Sequence, residues 1–311
     1  AAGLGLKDDR HVMLASLLAL EVLLTGYTAE DECFARVCSS ETCELINYAL
    51  ETYQSDVKVA MAVCRLLNAC VGKEDGGLSS GLSQVPGSPV SRPSSTGRRK
   101  SAWATLKGKF FAGSDSSNST SRRGSLMASA SAVATSQNSM EDTRLGEKAK
   151  QMRTRLGQGG ACMNLPKVIS SNLEELEVVT AACEGSLSLS ADESNLELIG
   201  KSGAVEVLVS GLKRFGHSDK HLMTTLSQLI ASLASVSKTH GNQFGALGAC
   251  DLLATALSVH YSGAEASEAG CRAVYHLSLK NVTNQNLFGE AGIAITLKTV
   301  LQHHCLNLSV S

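Results

Sequence analysis

The stretch LGQGGACMNLPKVI, residues 156–169, places three glycines within four residues and follows them with a short apolar run. Leu156 precedes Gly157 and Gly160, and Leu165 and Ile169 come five and nine residues after Gly160. The same five-position pattern occurs three more times downstream. The later copies are Ile199, Gly200, Gly203, Leu208 and Leu212; Phe244, Gly245, Gly248, Leu253 and Leu257; and Phe288, Gly289, Gly292, Leu297 and Leu301.

The spacing of these copies decides what the glycines do. The second glycines, Gly160, Gly203, Gly248 and Gly292, are separated by 43, 45 and 44 residues. A period of this size is typical of arrays built from helical units, whereas a phosphate-binding loop would occur once. Glycine adopts positive φ without steric penalty, as a tight corner between two helices requires. The leucines at +5 and +9 then share one face of the helix that follows.

A further apolar helix is predicted before each corner. Leu277 and Leu233 stand 15 residues before the next second glycine, and Leu187 stands 16 residues before its own. Each unit therefore consists of a short helix, a glycine corner, a second helix, a loop and a longer third helix. With 43% hydrophobic and only 4% aromatic residues, the composition agrees with an all-α fold packed through aliphatic side chains.

The amino-terminal region follows the pattern more loosely. Val37, Ile46 and Leu50 hold apolar positions of the pattern, while Glu41 stands where the second glycine would be. Leu66, within 60–72, takes the place of the apolar residue in the third helix. The run HVMLASLLALEVLL, residues 11–24, then reads as the last helix of a still earlier unit.

The unit length, the glycine corner and the three-helix order resemble the armadillo repeat family, over roughly 1–70 and 150–303. The resemblance implies a right-handed α-solenoid whose third helices line a concave groove for extended peptides. We expect three regions: armadillo-like helices in 1–71, an insertion in 72–150, and armadillo repeats in 151–311. The abrupt end after an apolar helix leads us to expect that the chain continues beyond its carboxyl end.

Armadillo proteins that act as nuclear import adaptors carry Trp and Asn on successive third helices, two residues before and two after the anchoring leucine. Only Asn68 matches that pattern in this chain, and no Trp does. Binding of nuclear localisation signals is therefore not carried over. Arg272, Tyr275 and His276 are instead the candidate partner-binding residues of the groove, because Tyr and Arg are frequent interface anchors.

The insertion, 72–150, differs in kind from the units around it. It is rich in Ser, Gly and Pro, with few large apolar residues, so it cannot bury enough surface to offset the entropy of ordering. We expect a long disordered loop. Between residues 92 and 123 it carries eight Lys or Arg and a single acid, Asp115. Ser101 and Ser125 follow basic clusters and Ser88 precedes Pro89, so these serines are phosphorylation candidates.

One segment of the insertion, RRKSAWATLKGKFF at 98–111, combines basic residues with large apolar ones. Trp103, Leu106 and Phe110 fall on one face if the segment is helical. Such a stretch can bind an acidic groove like that of calmodulin, or an anionic membrane surface. The alternative is that the three residues dock on the chain's own helices, and the sequence leaves both open.

Several classes of function receive no support from the sequence. The ten cysteines form no CxxC pair, and His217 and His221 lack a third ligand, so neither a metal nor a cofactor is expected. No GxSxG or HExxH motif is present, and we expect no enzymatic activity. A formal net charge of −1 gives no reason to expect nucleic-acid binding. The scattered cysteines favour a reducing compartment, the cytoplasm or else the nucleus.

The sequence therefore predicts a non-catalytic scaffold for protein–protein interaction with a phosphorylatable basic loop. Its partners would be proteins or extended peptides. Two alternatives stay open at this point. The chain could be the regulatory armadillo arm of a larger enzyme such as a kinase or ubiquitin ligase, or a membrane-peripheral protein held by 98–111.

Overall fold

The computed structural model describes residues 10–25, 38–71 and 149–306. Every regular element in these ranges is helical, and none of the described residues forms a strand. The predicted all-α class is confirmed for this part of the chain. The helices belong to one structural unit, 1–75 and 141–311, while a second unit, 76–140, lies outside the described residues.

The helix bounds follow the order expected from the repeated pattern. A helical stretch covers 149–158. The other helices are α1 (Arg10–Thr25), α2 (Ser40–Thr52), α3 (Val57–Val71), α4 (Ala161–Ser171), α5 (Leu176–Leu189), α6 (Glu193–Lys201), α7 (Ala204–Phe215), α8 (Lys220–Val236), α9 (Lys238–Ala246), α10 (Ala249–His260), α11 (Ala264–Ser278), α12 (Val282–Glu290) and α13 (Ile293–Leu306).

Three kinds of helix alternate along the chain. The first helices are short and comprise 149–158, α6, α9 and α12. The second helices α4, α7, α10 and α13 each follow a glycine corner, and the third helices α5, α8 and α11 come next in their units. Before the insertion, α2 and α3 repeat the succession of a second and a third helix.

The four corner glycines lie between first and second helices, all in the left-handed backbone region. Their φ angles are +111° at Gly160, +80° at Gly203, +81° at Gly248 and +71° at Gly292. Among the described residues only Lys280 has positive φ without being glycine. The spacing of the repeats predicted glycines at corners that need a positive φ. All four corner glycines adopt such a φ, which glycine allows without steric penalty.

The amino-terminal second helix begins differently. Glu41 lies in the first turn of α2, and Ser39 caps the helix with φ −86°, in the extended region. No positive φ is needed at this start, so an acidic residue can occupy the place of the corner glycine. An acid in the first turn also interacts favourably with the positive end of the helix dipole.

A test of the corners compares Gly203, which lies just before α7, with Gly211, which lies inside α7. Gly203→Ala is expected to lower the free energy of unfolding by about 1–2 kcal/mol, because an L-residue is strained at φ +80°. Gly211 lies inside α7, where an added Cβ would meet Leu226 Cδ2 at 3.5 Å, an ordinary contact. Gly211→Ala should be neutral or slightly stabilising. Urea unfolding followed by circular dichroism distinguishes them, and equal losses would contradict the strain.

The first helices α6, α9 and α12 and the third helix α8 begin at side-chain caps. The Asp192 carboxylate accepts from the backbone N–H groups of Ser194 and Asn195, and the Asp219 carboxylate accepts from that of Leu222. Ser237 and Asn281 cap α9 and α12 in the same way. Such caps satisfy amide groups that the helix leaves without an internal partner.

A polar side chain from each following first helix fills the space beside the first glycine of the preceding corner. The pairs are Asn195 with Gly157, His240 with Gly200, and Asn284 with Gly245. A Cβ on Gly245 would lie 1.9 Å from Asn284 Oδ1, so only glycine leaves room for the side chain. In these three patterns the first glycine is therefore a site of close approach between units rather than part of the bend.

Asn284 also joins three segments by hydrogen bonds. Its Nδ2 donates to the carbonyl oxygens of Gly241 at 2.9 Å and Leu277 at 3.0 Å. Asn195 makes the equivalent bonds one junction earlier, to Arg153 at 2.9 Å and to Leu189 at 3.3 Å. Both side chains are almost completely buried, so these bonds compensate amide groups removed from water.

The helices stack in two rows that follow chain order. Among second helices, α2 packs on α4, α4 on α7, α7 on α10 and α10 on α13. Among third helices, α1 packs on α3, α3 on α5, α5 on α8 and α8 on α11. A single helix pair cannot bury its own apolar face, and stacking lets neighbouring units form a continuous core. α1 occupies the place of a third helix, as its sequence suggested.

The stack continues across the insertion. Asn172 Nδ2, at the end of α4, donates to the carbonyl of Gln54, which follows α2, at 2.6 Å. His260, at the end of α10, makes the same kind of contact with the carbonyl of Gly216 at 3.0 Å. Residues separated by the insertion therefore meet in the way that residues of directly connected units do.

Two anchoring residues differ from their predicted places. Leu233 and Leu277 are fully buried at a shared position, but Leu187 is only half-buried and Leu189 is fully buried instead. Leu66 is fully buried one turn earlier in its helix, and Cys70 holds the shared position in α3. The burial pattern of α5 matches those of α8 and α11 when Leu189 aligns with Leu233. The loop between the third helix and the next first helix varies in length, which shifted the sequence-based assignment.

We expect the stack to form without the insertion. Deleting 76–140 leaves twelve residues to join α3 to the stretch at 149–158, while three residues, 190–192, suffice between α5 and α6. The thermal midpoint and helix content of the remaining protein should be unchanged. Asn172→Ala is the positive control and should lower stability by about 1 kcal/mol through its lost bonds. A lower midpoint for the deletion variant would contradict the expectation.

Candidate functional site

The third helices present one connected surface, here called the third-helix face. Contacts between α3 and α5 show that the helices run parallel, because Arg65 lies near Glu177 and Asn68 lies near Ala181 and Glu184. At least partly solvent-accessible residues of the face are Lys58, Arg65, Asn68, Glu177, Glu184, His221, Gln228, Ser232, Arg272, Tyr275 and His276.

Charged side chains bridge neighbouring helices of this face at repeated positions. Arg65 Nη2 lies 3.8 Å from Glu177 Oε2, and His221 Nε2 lies 2.7 Å from Glu184 Oε1. Alignment of the burial patterns places Arg65 and Glu184 at the same position of their helices, and Glu177 and His221 at another shared position. The two junctions therefore use the same geometry with opposite polarity.

The third junction of the face has a neutral residue at the corresponding position. Gln228 stands 44 residues after Glu184 and 44 before Arg272. Its Oε1 atom is buried and has no hydrogen-bond partner among the described residues. A buried carbonyl oxygen without a donor costs free energy at this junction.

Asn68, the one match to the import-adaptor pattern, is engaged within the protein. Its Nδ2 donates to the Ala181 carbonyl at 3.0 Å and to Glu184 Oε2 at 3.3 Å. Because both donor directions serve the α3–α5 junction, the amide group holds two helices together. The internal role of Asn68 agrees with the absence of the other Trp and Asn residues of the import-adaptor pattern.

The sequence-predicted residues Arg272, Tyr275 and His276 come together on α11. Arg272 is exposed, the side chain of Tyr275 is 55% exposed, and its ring packs edge-on against His276 with centroids 5.1 Å apart. Leu279, one turn beyond Tyr275, is 49% exposed. The end of α11 therefore offers an aromatic and aliphatic surface next to a cation.

The other predicted site residues lie outside the described residues. They are Trp103, Leu106 and Phe110 in the basic segment, and the phosphorylation candidates Ser88, Ser101 and Ser125. Sequence reasoning missed Glu177, Glu184 and Gln228. A signal existed, because Glu177, His221 and Glu265 are spaced by 44 residues, as are Glu184, Gln228 and Arg272.

The two histidines of the face differ in electrostatic surroundings. The hydrogen bond that His221 donates to the Glu184 carboxylate is the first cause that raises the pKa of His221, and the charges of Asp219 and Glu265 raise it further. Burial, and secondarily Arg272, lowers the pKa of His276. The charged form of His221 stabilises the fold at low pH, and that contribution is lost as pH rises through its raised pKa. The pKa of His276 is lowered, so the fold favours its neutral form. Protonation of His276 as the pH falls therefore lowers the stability of the fold.

Titration followed by NMR tests these shifts. We expect His221 to titrate above and His276 below the ordinary histidine pKa. Glu184→Gln should return the pKa of His221 towards its ordinary value and leave that of His276 unchanged. Arg272→Ala should raise the pKa of His276 only in part, because burial remains. An unchanged His221 pKa in Glu184→Gln would show that the pair does not form in solution.

The described cysteines form no disulfide bonds. Burial raises the pKa of the Cys64 thiol to about 12, which keeps it protonated. No group of three His, Cys, Asp or Glu among the described residues could hold a metal ion. The sequence GKS at 200–202 ends at the carboxyl end of α6, with Asn195 where a phosphate loop requires glycine.

A small apolar cavity lies between units. Pro166, Ile169, Leu208 and Leu229 contribute to its wall, and its volume of about 10 Å³ is close to the space of one water molecule. It is too small for an organic ligand. Among the helices that the structure describes, none has the length and apolar character that a membrane span requires.

Comparison with known proteins adds no relative. The chain matches no family model, no curated protein and no solved structure. The argument for function therefore rests on the repeated pattern and on the geometry of the third-helix face.

Proposed function

We propose that this chain is an armadillo-type right-handed α-solenoid that acts as a non-catalytic scaffold, binding extended segments of partner proteins along the third-helix face. The observation that carries the proposal is that each described third helix packs on the next one in chain order, α1 on α3, α3 on α5, α5 on α8 and α8 on α11. A rigid surface assembled from repeated units suits recognition of an extended chain, because each unit offers contacts at a regular interval.

The chemistry of the face supports this kind of partner. The partly solvent-accessible residues of the face include Gln228 and Ser232, which are residue types that can form hydrogen bonds with a peptide backbone. Tyr275 and Leu279 supply exposed apolar area at the end of α11, which can anchor a side chain. The basic insertion, 72–150, is proposed as a disordered loop whose phosphorylation regulates the scaffold.

Affinity capture with matched variants tests the face. The full chain is compared with Arg272→Glu/Tyr275→Ala and with the control Lys298→Glu/Val259→Ala. The control makes the same kinds of change at exposed residues of second helices. Proteins that bind the third-helix face should be depleted at least about tenfold by the first variant, as expected for loss of an anchoring side chain, and retained by the control.

Two results would reject the proposal. One is that both variants and the unchanged chain capture the same proteins in the same amounts. The other is that both variants lose the same proteins while circular dichroism shows that both are folded, because binding would then not depend on the third-helix face.

A further inference from the structure

The junction between the first helices α6 and α9 is filled by a different residue type from the junctions before and after it. Asn195 and Asn284 fill those two junctions, and each carboxamide donates to two backbone carbonyls. His240 holds the same position between α6 and α9. Its ring fills the space beside Gly200, where an added Cβ would lie 2.3 Å from His240 Cε1.

The imidazole ring cannot form the two hydrogen bonds that a carboxamide forms here. Nδ1 of His240 is buried and has no hydrogen-bond partner among the described residues. A carboxamide nitrogen carries two hydrogens and can serve two carbonyls, whereas a neutral imidazole carries a single N–H. Histidine therefore joins the two units less firmly than Asn195 and Asn284 do at their junctions, and its unpaired buried nitrogen costs free energy.

Helix packing at the same junction is uneven. α9 packs on α12 at the following junction, whereas α6 and α9 form no contact of that extent. On the opposite side, α8 and α11 share the most extensive contact of any two described helices. Met223 Cε and Leu257 Cδ1 both lie within 3.4 Å of where a Cβ on Gly270 of α11 would be. The junction is therefore held firmly along its third helices and weakly along its first helices.

A single residue connects the two units at this junction. α8 ends at Val236 and α9 begins at Lys238, so Ser237 alone lies between them. Hinge motions are absorbed by a few residues at the ends of elements, while the packed helices on either side move as bodies. Ser237 has such a position, next to the firm contact between α8 and α11.

We propose that the stack bends at this junction, with Ser237 as the hinge and the contact between α8 and α11 as the pivot. Bending changes the separation of α6 and α9. Because the pivot lies on the third-helix face, bending also changes the curvature of that face between α8 and α11. The inference concerns the stack itself and does not depend on the scaffold function proposed for the face.

Hydrogen exchange followed by NMR tests the missing hydrogen bonds. His240→Asn supplies an amide that can donate to the carbonyls of Leu196 and Leu233, the counterparts of the two that Asn284 uses. Amide exchange in α9 should slow by about tenfold through the added bonds. The matched variant Asn195→His should accelerate exchange in α6 by about the same factor. All samples are compared at one pH and one temperature.

Distances between spin labels test the bending itself. Labels on Glu206 and Asp251, exposed at the same position of α7 and α10, span the junction. Labels on Met163 and Glu206 span the preceding junction and are the control. Double electron–electron resonance should give a broader distance distribution for the first pair than for the second. His240→Asn should narrow the first distribution, and Asn195→His should broaden the second.

Three outcomes would overturn the proposal. Equal widths for the two label pairs in the unchanged chain would mean that neither junction bends more than the other. Unchanged or faster exchange in α9 with His240→Asn would mean that histidine joins the units as firmly as asparagine does. Slower exchange with an unchanged distance distribution would mean that the hydrogen bonds of this position do not control bending.

Discussion

Leu257→Ala is expected to lower the free energy of unfolding by about 3–4 kcal/mol, the largest loss that we predict for a single substitution in this chain. The side chain is fully buried, and α11 packs closely against it at Gly270. Removing three carbons leaves a cavity that neighbouring helices cannot collapse to fill, since each is also held by the next unit. Urea unfolding monitored by circular dichroism measures the loss.

Leu301→Ala is the matched control. It makes the same change at the same position of the pattern, but Leu301 is 56% exposed. The expected loss is below about 1 kcal/mol, as for most exposed substitutions. If both variants lost the same stability, Leu301 would be covered in solution, and the described end of the stack would differ from its structure here.

The second large effect is expected for Gly245→Ala, at about 2–3 kcal/mol. A Cβ at this position would lie 1.9 Å from Asn284 Oδ1, so the carboxamide must leave its place. It would then lose its bonds to the Gly241 and Leu277 carbonyls, at 2.9 and 3.0 Å. The loss of two buried hydrogen bonds, each worth about 1 kcal/mol, and some repacking make up the expected value.

Gly289→Ala serves as the control for that substitution. Both glycines lie in first helices at the same position of the pattern, but only Gly245 faces an asparagine. Alanine in a helix interior is favoured over glycine by up to about 1 kcal/mol, so Gly289→Ala should be neutral or stabilising. Thermal and urea unfolding of both variants compare them. Equal losses would mean that glycine is needed for another reason than space for a neighbour.

The features that the sequence predicts are those that local chemistry determines. A positive φ strongly favours glycine, so Gly160, Gly203, Gly248 and Gly292 reveal the corners without knowledge of any neighbour. The apolar positions five and nine residues later follow from helical periodicity alone. Helix type and order could therefore be predicted from one sequence.

The contacts between units could not be predicted in the same way. Asn195, His240 and Asn284 each stand eight residues before a corner glycine, but Asn and His are also ordinary surface residues. Their role depends on the glycine of the preceding unit, about forty residues away, and on burial that only packing reveals. The same holds for Glu184, whose pairing with His221 joins two helices far apart in the chain.

The two ion-paired junctions have opposite polarity, and this restricts which units can be placed next to each other. Arg65 requires an acid on the next helix, whereas Glu184 accepts a histidine there. If the unit of α8 were placed directly after that of α3, Arg65 would face His221, and two groups that both carry positive charge at low pH would meet. Exchanging these units would therefore bring unsuited charges together at the two paired junctions, so their side chains favour the present order of the units.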